Sequence, residues 1–139
     1  MLTGEMAAAL SRNTILKDAV SFDISGVSEE YLLKGFDMCS DKGINEALFK
    51  VRILKNIFGA ASLETYSFFM GVILCDEIKY ILALNPKKIV IGGKKQIKEQ
   101  TVIILKARSQ CEIIQLKEED VDVSSAMGMI KIYEHENGE

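Results

Sequence analysis

The sequence predicts an α/β chain in which helix dominates, with four helices followed by a β-α-β-α unit. Three observations predict it. Proline occurs once, at Pro86, so nothing breaks long helices upstream of it. Apolar residues before position 85 recur at helical spacing between capping residues and glycines. From Ile89 onward, short apolar runs alternate with longer helical segments, the pattern of parallel strands joined by helical crossovers.

Each element has its own local reason. The stretch from Gly4 to Asn13 reads as a helix, with Thr3 as N-cap and Glu5 in a first turn where negative charge suits the helix dipole. Residues 15–27 read as a loop that turns at Gly26. Ser28 caps a second helix that carries Glu29 and Glu30 in its first turn, runs to Asp41 and ends at Gly43. Asn45 caps a third, in which Leu48, Val51, Leu54 and Phe58 form one face and Gly59 closes the helix. Ser62 caps the fourth and longest, to Leu84, with a stripe through Tyr66, Met70, Ile73, Tyr80 or Ile81, and Leu84. Ile89–Ile91 is a short strand, Lys95–Ala107 a helix, Glu112–Leu116 a second strand and Val121–Tyr133 a last helix. A crossover of that length makes the two strands parallel.

Bulk properties bound the function. A chain of 139 residues has room for one domain with one core, so residues 1–139 are read as a single unit. The net charge of -3, without a strong Lys/Arg cluster, argues against a nucleic-acid partner. Cys39, Cys75 and Cys111 lie far apart in sequence, form no CxxC and are odd in number. With a single histidine, zinc-type spacing is absent as well, and no metal-ligating residue is assigned. Met1 is followed by Leu-Thr-Gly-Glu, with no basic leader, and the uncharged run Thr65–Cys75 is too short for a bilayer. The expectation is a reduced, cytoplasmic protein with no membrane partner. Two parallel strands do not make a self-sufficient sheet. Either a partner supplies further strands, a second copy included, or the chain is one piece of a larger fold.

Five landmarks carry a resemblance: "MLTGEM" at the start, "LFKVR" at Leu48–Arg52, "GVILCDE" at Gly71–Glu77, "VIGG" at Val90–Gly93 and "DVSSAMG" at Asp122–Gly128. In that order and spacing, the chain resembles the C-terminal part of 2-dehydro-3-deoxygalactonokinase, a sugar-acid kinase family of the actin-like ATPase superfamily. The resemblance implies the mostly helical C-terminal lobe of an actin-like, ribonuclease-H-like kinase fold. It implies transfer of the ATP γ-phosphate to the 6-hydroxyl of 2-dehydro-3-deoxy-D-galactonate, with Mg²⁺. It also implies two lobes around a cleft. An Asp-x-Gly-Thr/Ser phosphate loop belongs to the N-terminal lobe, and a second phosphate loop precedes the Thr-Gly-Glu helix. Neither loop occurs in this sequence, nor does the catalytic aspartate that goes with them. The expectation is therefore a lobe with no catalytic residue of its own, inactive alone and in need of a complementing N-terminal lobe. The rival reading is a non-catalytic helical domain that binds nucleotide or self-associates. Two departures stand out. Asn13-Thr14 replaces the family's usual His-Ser, and Cys75 replaces a usual Gly, which suggests looser backbone contact around the long helix.

The candidate residues follow. Gly92-Gly93-Lys94-Lys95 has neither the P-loop spacing nor the GxGxxG fingerprint. From the residues alone it is a tight strand-to-helix turn. The resemblance makes Gly92, Gly93 and Lys94 the adenosine side of an ATP site, where glycines let the backbone lie against the nucleoside. Glu5 is a dipole partner by position, or a contact to a sugar hydroxyl or a metal-bound water. Arg52, beside the Leu48/Val51 face, either snorkels or pairs with a neighbouring carboxylate, or it grips the carboxylate of the sugar acid. Glu77 falls on an apolar stripe and needs a partner, with a buried pair to Arg52 weighed against a direct role on substrate. Asp122 caps the last helix or acts through water on the nucleotide side, and His135 is assigned nothing.

Overall fold

A computed structural model describes residues 3–117 and Glu119. Among these residues the order is α1 Thr3–Asn13, α2 Glu29–Lys42, α3 Ile44–Asn56, α4 Ser62–Ala83, β1 Lys88–Ile91, α5 Lys95–Arg108 and β2 Glu112–Gln115. The two strands pair in parallel, with Lys88 opposite Glu112 and Ile91 opposite Gln115. The four helices and the strand-helix-strand unit follow the sequence reading closely. The expected last helix at 121–133, with Asp122 and His135, lies outside the described residues.

The caps fall elsewhere than expected. Thr3 is inside α1, not before it, and its hydroxyl is used for a distant contact. Ser28 has extended backbone at the start of α2 but makes no side-chain cap; its N–H donates to Ser67 Oγ at 2.9 Å. Gly43, at φ 84°, both ends α2 and begins α3, which leaves Asn45 inside the helix. Ala61 precedes α4, and the Glu64 carboxylate accepts the Ala61 N–H at 2.8 Å. Only a left-handed glycine lets two helices abut without a linker, and that geometry overrides the polar side chain two positions on.

Helix α4 is the axis of the core. Every residue from Thr65 to Cys75 is buried, around the whole circumference rather than along one stripe. A helix apolar on all sides belongs at the centre of its neighbours. The expected stripe fails at its far end, where Tyr80 and Leu84 are exposed. Phe58, expected on the buried face of α3, is exposed too. The closest neighbour is α2, and the two backbones touch at two glycines. A Cβ on Gly71 would lie 2.1 Å from the Leu32 carbonyl oxygen, and one on Gly35 would lie 2.0 Å from that of Phe68. The expected looseness around the long helix is therefore absent. Cys75 is buried one turn further on, with its thiol directed at the Phe36 carbonyl at 3.6 Å. Below the loop at 14–28, Phe22 sets its ring edge-on to Tyr66 and Phe69.

The sheet packs one face on this core. Ile89, Ile91 and Ile113 point inward, whereas Val90 and Ile114 are exposed. No helix among the described residues is long and apolar enough to cross a membrane.

Candidate functional site

β1 ends at Ile91, and the chain must turn at once into α5. Gly93 makes that turn at φ 117°, a conformation that side chains rarely adopt. Lys94 then begins α5 with extended backbone. The turn forms one wall of a pocket of about 260 Å³. The floor is Ile89 and Ile91 from β1 with Ile97, Thr101 and Leu105 from α5, which recur every four residues on the sheet-facing side of that helix. Thr3 and Gly4 of α1 close the opposite wall.

The polar groups around the pocket are few and mostly engaged. Thr101 Oγ1 donates to the Ile97 carbonyl at 2.9 Å, and Lys98 Nζ to the Leu116 carbonyl at 2.8 Å. Thr3 Oγ1 donates to Glu77 Oε2 at 2.8 Å, which ties the first turn of α1 to α4. No carboxylate lines the pocket among the described residues. Its lining therefore suits a flat, mainly apolar group held by burial and shape, and offers no carboxylate to a hard cation. The volume lies just under the usual range of about 300 Å³ upward for ligand sites, which suits part of a nucleotide and not all of it.

The sequence candidates separate into two sets. Gly92, Gly93 and Lys94 all line the pocket. Glu77 sits one hydrogen bond behind its wall, half-buried, and Glu5 is exposed on α1 just past Gly4. Arg52 is not with them. It is exposed on α3, none of whose residues lines the pocket, and it has no hydrogen bond or ion pair among the described residues. The alternative pairing of Glu77 with Arg52 is not formed: Glu77 accepts from the Thr3 hydroxyl, and Arg52 lies exposed on α3. Thr3, Ile97 and Thr101 were not picked out from the sequence. The i, i+4 repeat of Ile97, Thr101 and Leu105 is the signal that would have found two of the three.

Comparison with known proteins identifies the chain. No curated protein and no solved structure gave a match. The model of one protein family, described as 2-keto-3-deoxy-galactonokinase, matches residues 1–131. That span takes in α1, the glycine turn and every element between them and the end of the described residues, so the chain belongs to the 2-keto-3-deoxy-galactonokinase family.

Proposed function

We propose that this chain supplies the nucleoside-binding lobe of an ATP-dependent kinase acting on 2-keto-3-deoxygalactonate. The observation that carries this reading is the glycine turn. It follows a parallel strand, opens a helix and walls a pocket whose floor is apolar and whose volume suits a base with its sugar. Parallel strands present ligand sites at their carboxyl ends, which is where this turn lies. The family assignment supports a phosphoryl transfer of this kind, and a kinase uses ATP with Mg²⁺. The pocket has no carboxylate, so Mg²⁺ would come with the phosphates, outside it. Phosphoryl transfer depends on positioning and on charge stabilisation around the γ-phosphate. In this reading those groups, the proton-accepting aspartate and the phosphate loops, come from a second lobe of actin-like fold. Glu5, beside Gly4 at the pocket wall, then faces the cleft between the lobes. Arg52 reaches the sugar acid only if the second lobe brings substrate to α3. A cytoplasmic setting fits a metabolic kinase of this kind.

The test is isothermal titration of the pure chain with adenosine, ADP and Mg-ATP, with Gly4→Val as the control. A Cβ on Gly4 would lie 3.5 Å from Ile97 Cδ1, so a side chain at this position narrows the pocket between α1 and α5. Adenosine is expected to bind about as well as ATP, and Gly4→Val to lose both. No binding at millimolar adenosine would sink the reading. Kinase turnover by the pure chain would sink the claim that the chain alone is inactive. A second reading, self-association, is favoured by Phe49, Ile57 and Phe58, which are 56%, 72% and 66% exposed around the end of α3. Sedimentation velocity separates a monomer from a dimer.

A further inference from the structure

Helices α2 and α4 run in the same direction where they touch. Contacts rise together in number along both, from Ser28 on Ser67, through Phe36 on Cys75, to Ser40 on Lys79. Each helix carries a cysteine one turn after its contact glycine, Cys39 after Gly35 and Cys75 after Gly71. The glycines bring the backbones together, and the next turn of each helix therefore presents its thiol to the other. Asp76, next to Cys75 on α4, is exposed at the edge of the same seam. The two sulfurs and a carboxylate oxygen of Asp76 all lie within 4.8 Å of one another, the one such group of metal-ligating side chains among the described residues.

We propose that Cys39, Cys75 and Asp76 form a site for a thiophilic divalent ion of the zinc and cadmium class, separate from the Mg²⁺ that accompanies the nucleotide. Sulfur donors select such ions and reject Mg²⁺, which takes oxygen. The geometry suits the ion. Zinc–sulfur bonds of about 2.3 Å, tetrahedrally disposed, place two sulfurs of one ion about 3.8 Å apart, inside the 4.8 Å that bounds the three donor atoms here. Three protein ligands leave a fourth position for water on the Asp76 side, where the ion enters.

Charge and protons balance. Thiols bind such an ion as thiolates, so the ion displaces two protons, one from each sulfur. Two thiolates and one carboxylate give the site one excess negative charge. Lys79, one turn beyond Cys75 on α4, donates its ammonium to the Ser40 carbonyl of α2 at 3.5 Å. Its positive charge offsets that excess.

The experiment titrates the Cys111→Ser chain with Cd²⁺ alone, in a phosphine reductant, and follows the thiolate-to-metal absorbance in the ultraviolet. Removing Cys111 leaves only the two buried thiols. A single equivalent is expected to bind, and a large excess of Mg²⁺ not to displace it. Cys39→Ser and Cys75→Ser are each expected to abolish the band. If either variant fails to fold by circular dichroism, Asp76→Asn decides, since Asp76 is exposed and its loss spares the core. It is expected to weaken Cd²⁺ binding by about tenfold or more, a loss that even an outer partner of a metal site produces. No absorbance change in the Cys111→Ser chain, a band that survives removal of either cysteine, or unchanged affinity in Asp76→Asn would overturn the proposal.

Discussion

Replacing Gly71 by alanine tests the central packing of the fold. In an ordinary helix, Gly→Ala stabilises by about 1 kcal/mol. Here the sign should reverse. The new Cβ would lie 2.1 Å from the Leu32 carbonyl oxygen and 2.8 Å from the Phe36 nitrogen. Both are backbone atoms of α2 and cannot rotate away. Ordinary contact begins at 3.4 Å, so α2 and α4 must part by about 1.3 Å at the crossing. A gap near 1 Å forfeits a quarter to a half of the dispersion energy at each contact along the seam. Leu32, Phe36, Cys39, Phe68, Val72 and Cys75 are all buried and share that loss. Overpacking of a tight core costs about 1–3 kcal/mol, and two rigid partners put this case at the upper end. Net of the helix gain, Gly71→Ala should cost about 2 kcal/mol. With a urea slope of about 1–3 kcal/mol per molar, the midpoint should fall by about 1 M. The assay is urea unfolding followed by far-ultraviolet circular dichroism, with exposed Ser25→Ala as a loop control. A midpoint for Gly71→Ala that stays put or rises would refute the reasoning, because it would mean that the two backbones do not touch.

Three further outcomes follow from the same structure. Burial pushes the Cys75 thiol up to about 12 from its ordinary 9.0, and raises Cys39 and the Tyr66 hydroxyl as well. The folded chain then holds these protons more tightly than the unfolded one, so their stabilisation is complete below about pH 9 and is lost as pH climbs toward 12. The Cys75 share has an upper bound of about 4 kcal/mol, and a thermal midpoint that does not fall across that alkaline window would contradict it. In native protein at neutral pH an alkylating reagent should modify Cys111 alone, with Cys39 and Cys75 reacting only after unfolding; mass spectrometry counts the adducts. Arg108 grips Asp37 with two bonds, at 3.0 and 2.5 Å, between α5 and α2. The pair is exposed enough that Arg108→Ala should cost no more than about 1 kcal/mol, and a larger loss in chemical unfolding would show that it organises the α2/α5 contact.

Much of the frame was legible because local signals agreed with the global result. Helical period, scarce proline and the glycines at 43 and 59 placed the four helices, and the short runs Ile89–Ile91 and Glu112–Leu116 placed a parallel pair. The glycine turn was legible as a site for the same reason, since it interrupts a strand where a helix must start. What stayed hidden is what depends on contact between elements remote in sequence. Thr3 read as a cap because local rules see only its own turn, yet Glu77, 74 residues away, takes its hydroxyl. Cys39 and Cys75 read as isolated because their spacing of 36 matches no motif, yet the glycine crossing sets them face to face. Arg52 was drawn toward the site by its motif, and the position of α3 leaves it outside the pocket. Nor does helical period distinguish a one-sided stripe from a helix buried all round, which is why α4 was read as less central than it is.

The hydrogen bond from Thr3 to Glu77 explains how the pocket can have a defined shape although one of its walls is the first turn of a helix near the chain end. The carboxylate belongs to α4, whose turns on either side, at Leu74 and Ile78, are fully buried. It is therefore fixed by the core and offers the hydroxyl a stationary acceptor. The remaining walls, β1 and the start of α5, are fixed by the parallel pairing with β2 and by the Lys98 contact to Leu116. Thr3 and Gly4 are held against Ile97 by this bond and by the packing of Ala7 and Leu10 further along α1. A bond of this kind to a charged acceptor contributes about 1.5–3 kcal/mol, less when partly wet as here. Its loss in Thr3→Val would therefore release the α1 wall before it disturbed the core. Nucleoside binding should suffer more than global stability in that variant. Hydrogen exchange should rise in the first turn of α1 and stay unchanged in α4, and equal acceleration in both helices would mean that the bond stabilises the whole core rather than this wall.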